Sequence, residues 1–221
     1  MLKTGNTFID YFLVATTFLP LLPVVLIFLR RPRLGEQLNF LMIVCLLNFI
    51  GAMIKGIPLL SPEKQPIVNN LFSLLELIAL TQLFRPALSG RAKDLFNIFF
   101  ISFLSVLLTY FSVKGWGISS IGFDTLQSCV IIGVILLSLP WLIRSGALHV
   151  FESPLFWIAM GTLFYFLISI LMEWVDGSRS GPLAPPDTEK VGFLAIAAFI
   201  RYTLYSLAAL LRYPAPSKDW D

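Results

Sequence analysis

Two residues of opposite charge stand where a charge is hardest to keep. Glu76 lies in "NNLFSLLELIALTQLFR" and Arg201 in "FLAIAAFIRYTLYSLAALLR", each inside an apolar run of helical length. At a rise of 1.5 Å per residue, Arg201 falls about 16 Å below Lys190 and Glu76 about 13 Å below Ile67, where their runs begin. No other Asp, Glu, Lys or Arg occupies the central third of any such run. An unpaired charge in the middle of a bilayer costs from about 2.5 to more than 10 kcal/mol, so a buried pair between the two is the expected solution.

The neighbouring residues support that pairing. Asn69, Ser73, Glu76 and Ala79 recur at i, i+4, i+7 and i+10, and Ala195, Ala198, Arg201, Tyr205 and Ala208 form a matching stripe. Side chains at this spacing share one helix face, and small residues let two helices approach closely. Tyr202 and Tyr205 stand beside Arg201, able to donate further hydrogen bonds. The candidate binding set is therefore Glu76, Arg201, Tyr202, Tyr205, Ser73 and Asn69. Two readings stay open: the pair lines a ligand or ion cavity, or it only fixes helix register.

The elements that must position these residues follow from composition. The chain is 57% hydrophobic with 20 Phe and only 13% charged, and its mean hydropathy is +0.83. That exceeds what a soluble core needs. A bilayer core takes roughly 20 apolar residues per helix, and seven segments qualify: about 8–30, 37–59, 67–84, 95–113, 121–143, 155–175 and 190–211. We expect an all-α integral membrane protein, one domain of seven transmembrane helices over residues 1–221. The longest gap, Asp176 to Glu189, is a Gly/Pro-rich loop, so any catalytic output is expected on another polypeptide. The first span reads as helix one and not as a cleavable signal, because its positive cluster follows the apolar run.

Orientation follows from Lys and Arg, which favour the cytoplasm in short loops. One set of connections carries Arg30, Arg31, Arg33, Arg85, Arg91, Lys93, Arg144, Arg212 and Lys218; the other carries Lys3, Lys55, Lys64, Lys114, Arg179 and Lys190. The larger, arginine-rich set implies an outside N-terminus and an inside C-terminus in a bacterial inner membrane. Polar residues then gather at the outer helix ends: Asp10, Lys55, Asp124, Gln127 and Glu173. Asp124, Gln127 and Glu173 suggest an outward vestibule, while Asp10 and Lys55 suit snorkelling to the interface. Trp116, Trp141, Trp157 and Trp174 fall near span ends, as aromatic belts require. Asn48, mid-span two, suits an interhelical hydrogen bond, and Pro20, Pro23 and Pro140 can kink their helices.

Other chemistries lack their residues. Cys45 and Cys129 lie within spans and suit packing, and His149 is alone in a loop. A zinc site needs three or four converging ligands, and a nucleophile needs a base beside it. Motifs such as G-x-S-x-G, the P-loop and H-E-x-x-H are absent from the sequence. A retinal Schiff base would need a lysine at mid-span seven, where Arg201 stands. We expect no enzyme activity, no cofactor, no metal and no nucleic-acid partner.

Two resemblances add to this reading. The run "FESPLFWIAMGTLFYFLISILM" from Phe151, "LFSLLELIAL" around Glu76 and the closing "IRYTLYSLAALLR" resemble an uncharacterised family of small bacterial seven-helix membrane proteins. Members are sometimes encoded near histidine kinases, which implies such a kinase as partner. The second resemblance is architectural, to three-plus-one-plus-three proteins that include SWEET sugar transporters and KDEL receptors. An outside N-terminus makes spans one to three and five to seven parallel, as a pseudo-repeat requires. "EQLNF" from Glu36 echoes "ESPLF" from Glu152, although the Pro-Gln dipeptide typical of that group is absent from spans one and five. The functional expectation is a sensor or binding protein for an unknown small ligand, acting through a partner. The alternative is a small-solute or ion transporter of the three-plus-one-plus-three type.

Overall fold

The computed structural model describes residues 7–30, 36–55, 64–88, 90–116, 121–144, 150–178 and 187–211. They form eight α-helices: α1 (Thr7–Phe18), α2 (Leu21–Arg30), α3 (Glu36–Lys55), α4 (Gln65–Phe84), α5 (Gly90–Lys114), α6 (Ile121–Arg144), α7 (Pro154–Ser178) and α8 (Asp187–Leu210). Two 3-10 turns, Arg85–Ala87 and Val150–Glu152, complete the set, and no strand occurs among the described residues. Seven helical segments are long and apolar enough to cross a membrane, with α1 and α2 together supplying the first. The chain is thus an all-helical, multi-pass membrane protein. The arginines at 31 and 33, residues 56–59 of the expected second span, and His149 lie outside the described residues.

Span one departs from the continuous helix expected over 8–30. It breaks at Leu19 and Pro20. Proline has no N–H to give, and its ring clashes with the carbonyl four residues back. The break is bridged by the Leu19 N–H donating to the Ala15 carbonyl at 3.1 Å and the Leu22 N–H to the Leu19 carbonyl at 3.0 Å. Pro23 falls in the first turn of α2, where a missing N–H leaves no gap in the ladder. Pro140 sits inside α6 without ending it.

The helices close into a ring. The first span packs on α3, α3 on α4, α4 on α6, α6 on α7, α7 on α8, and α8 back on α1 and α2. Helix α5 stands outside this ring. It meets the bundle through Phe96, Phe100, Leu107 and Phe111, spaced for one helix face. Its opposite side exposes Leu95, Ile98, Ile101, Val106 and Val113. Water would not tolerate such a surface, whereas lipid tails solvate it.

The ring interior has two unlike halves. Short connections make successive spans antiparallel, so α4, α6 and α8 begin at the end where α3 and α7 finish. At the far end the interior is filled by Leu41, Val44, Leu80, Leu83, Ile131, Ile135, Ile158 and Ala208, all buried. At the near end it is hollow and polar.

Candidate functional site

At the boundary between the halves, Arg201 on α8 meets Glu76 on α4. The Arg201 Nη2 donates to Glu76 Oε1 at 2.6 Å. Arg201 is 1% exposed and the Glu76 side chain 12%. Asn48 on α3 brings a third helix to the same oxygen, its Nδ2 donating to Glu76 Oε1 at 2.9 Å and to the Val44 carbonyl at 3.1 Å. Both bonds use Oε1. No described residue bonds Oε2.

Behind the pair runs a chain of hydroxyls. The Arg201 Nε donates to Tyr205 Oη at 2.8 Å, the Tyr205 and Thr162 hydroxyls are 2.7 Å apart, and the Thr162 hydroxyl reaches the Ile158 carbonyl at 2.7 Å. Read from the Arg201 Nε to the Ile158 carbonyl, each link of the chain passes one hydrogen to the next acceptor. The rings of Tyr165, Phe166, Tyr202 and Tyr205 surround the guanidinium, with centroids 4.8, 5.4, 5.7 and 5.2 Å from Cζ. Aromatic faces attract a desolvated cation, and a planar guanidinium can stack on rings while its edge forms bonds. Gly161 of α7 permits the close approach: a Cβ there would lie 3.1 Å from the Arg201 carbonyl oxygen.

On the near side of Glu76 lies a cavity of about 490 Å³. Its wall takes Thr16, Thr17 and Pro20 from the broken first span, Asn48 from α3, and Ser73 and Glu76 from α4. Asp124, Gln127 and Ser128 come from α6, Tyr165, Ser169 and Glu173 from α7, and Lys190 and Tyr202 from α8. Several of these groups hold one another. Gln127 Nε2 donates to the Ser73 carbonyl at 3.0 Å, and the Thr125 hydroxyl donates to Glu173. Others have no partner. The hydroxyls of Tyr202, which is 5% exposed, and Tyr165 make no hydrogen bond with a described residue, yet both residues line the cavity. Gln127 is 3% exposed, and its bond through Nε2 leaves Oε1 unused.

Among the residues singled out from the sequence, Glu76, Arg201 and Tyr205 come together in one bonded cluster. Tyr202 does not join the pair by a hydrogen bond; it offers its ring to Arg201 and its hydroxyl to the cavity. Ser73, Asp124, Gln127 and Glu173 all reach the wall. Asn69 does not. It is half-buried one turn from Ser73, outside the lining, with its Oδ1 enclosed and unbonded. Asp10 is likewise outside the lining, and the Lys55 side chain falls outside the described residues. Sequence reasoning missed Tyr165, Thr162, Gly161 and Lys190. The adjacent small residues Gly161 and Thr162 in span six were the only available signal.

No three of His, Cys, Asp and Glu converge to hold a metal among the described residues. Comparison with protein-family models, curated proteins and solved structures finds no match.

Proposed function

We propose that the chain is a bacterial inner-membrane sensor or binding protein that admits a small polar solute to the cavity and acts through a partner protein. One observation carries the reading. The cavity ends on a carboxylate whose second oxygen is bonded by no described residue, and its wall presents the hydroxyls of Tyr165 and Tyr202 and the Gln127 Oε1, likewise unbonded by the described residues. An ionised carboxylate is an acceptor only, so a solute that brings donors to Glu76 suits this end of the cavity. With Glu76 offset by Arg201, Asp124 and Glu173 still outnumber Lys190 on the wall. The solute that fits is compact and carries a positive charge or several N–H groups.

The N-terminus is proposed to face outside, following the arginine-rich connections, which turns the cavity outward. The apolar packing of the far half supports binding from one side. A change in the Glu76 contacts would move α3, α4 and α8 together, since each supplies a member of the cluster. The resemblance to small seven-helix proteins makes a histidine kinase the proposed partner class. Transport is the second reading, favoured by the broken first span, whose Thr16, Thr17 and Pro20 line the cavity as interrupted helices do in transporters. The ring, with span four outside it, also agrees with a three-plus-one-plus-three pseudo-repeat.

A thermal-shift screen of small amines, amino acids and polyamines on the detergent-solubilised protein tests the proposal. A true ligand at 100 times its Kd stabilises by about 2.7 kcal/mol. The response should vanish in Asp124→Asn and Glu173→Gln while their unliganded stability stays near wild type. A hit that also accumulates inside proteoliposomes selects transport. A screen in which no cationic solute stabilises the protein contradicts the binding reading.

A further inference from the structure

The position of α5 leaves a second recess at the far end of the bundle. Because α5 does not join the ring, the space between the start of α3 and the start of α5 is not closed by helix packing. A cavity of about 480 Å³ occupies it. Asn39, Phe40 and Ile43 of α3 form one wall, Gln82 of α4 with Arg85 and Pro86 of the 3-10 turn form another, and Lys93 of α5 forms the third. The link from α4 to α5 is short enough to hold both cations at this recess. It consists of the 3-10 turn and two further residues before Gly90, whose φ of +56° lies in the left-handed region that glycine adopts without strain.

Among the described residues neither cation has a counter-ion. Arg85 Nη1 donates to Gln82 Oε1 at 3.3 Å, but its Nε is enclosed with no partner at all. Neither Arg85 nor Lys93 forms an ion pair with a described residue. An enclosed guanidinium N–H without an acceptor is a costly group to leave in a native protein, and the missing acceptor should be an anion that the recess admits. The guanidinium fork matches phosphate oxygens, and lysine adds a point charge. Phe40, Ile43 and Pro86 add an apolar part to the wall, and Ile43 is 42% exposed. A free phosphate would gain nothing from that apolar surface, whereas an acyl chain would.

We propose that this recess binds the phosphate head group of an anionic phospholipid, with Arg85 as the main contact and Lys93 as the second. The recess is lined by residues near the ends of three apolar spans, where head groups are expected in a bilayer, and basic pockets between spanning helices are known head-group sites. The proposal is independent of the central cavity.

The test uses delipidated, detergent-solubilised full-length protein and follows thermal unfolding. Short-chain phosphatidylglycerol should stabilise it saturably, while short-chain phosphatidylcholine should not. Arg85→Gln should weaken the apparent phosphatidylglycerol affinity about 10- to 100-fold, the range of one charge-assisted hydrogen bond. Lys93→Gln should weaken it several-fold. Arg91→Gln, which alters an exposed residue on the same helix outside the recess, should leave it unchanged. Equal stabilisation by phosphatidylcholine overturns the charge requirement. Inorganic phosphate that matches phosphatidylglycerol overturns the lipid assignment. If Arg85→Gln does not fold, Lys93→Gln decides: an affinity equal to wild type, or a loss no larger than that of Arg91→Gln, overturns the site.

Discussion

The two halves of the ring interior are built from the same helices yet solve opposite problems. In the far half, Leu80, Leu83, Ile135 and Ile158 fill the space between helices, and stability there rests on dispersion and the absence of voids. In the near half, the same α4, α6 and α7 carry Ser73, Gln127 and Ser169 to a cavity of about 490 Å³, which packing leaves open. The comparison teaches where the Glu76–Arg201 pair acts. It sits on the seam, with its arginine sealed among four rings and its carboxylate oxygen facing the hollow side.

The largest expected effect is on the seam itself. Glu76→Gln or Arg201→Leu alone leaves one buried charge uncompensated and should cost about 3–5 kcal/mol in thermal unfolding of the detergent-solubilised protein. The double variant should recover most of that loss, as a double-mutant cycle between touching residues requires. Independent, additive losses would separate the two residues. Next comes the packed half, where Leu80→Ala should cost about 2–5 kcal/mol, because the cavity it creates cannot collapse. Gly161→Ala should cost about 1–3 kcal/mol by pushing α7 off the Arg201 carbonyl. At the small end, Ser169→Ala in the hollow half should change stability by no more than about 0.5 kcal/mol. Equal sensitivity at Leu80 and Ser169 would erase the distinction between halves.

How far this was legible in the sequence differs by residue. Seven apolar runs were readable because the bilayer sets their length. Glu76 and Arg201 were readable because charges are rare inside spans and the fixed helical rise gave each a depth. Asn48 was recognisable as an interhelical donor, but its partner was not, since depth alone does not say which faces meet. Tyr165 and Thr162 were hidden because an aromatic or threonine at helical spacing looks the same whether it packs against lipid or cages a cation. The break at Leu19 was anticipated only as a kink, because proline removes one bond wherever it stands and the surroundings decide whether the helix resumes in line. Nothing in the composition of span four set it apart from the six that form the ring; its exclusion is a tertiary outcome.

Single-cysteine accessibility tests the central claim most directly, the claim being a water-filled cavity that opens at one end and stops at Glu76. In a background with Cys45→Ala and Cys129→Ser, cysteines are placed at Ser73 and Ser169 on the cavity wall and at Leu80 and Ile135 in the packed half. A small membrane-impermeant thiol reagent applied to intact spheroplasts should label Ser73→Cys and Ser169→Cys and leave Leu80→Cys and Ile135→Cys unmodified, in spheroplasts and in inverted vesicles alike. Failure to label either wall position from either side, or labelling of Leu80→Cys as readily as Ser73→Cys, would contradict the account.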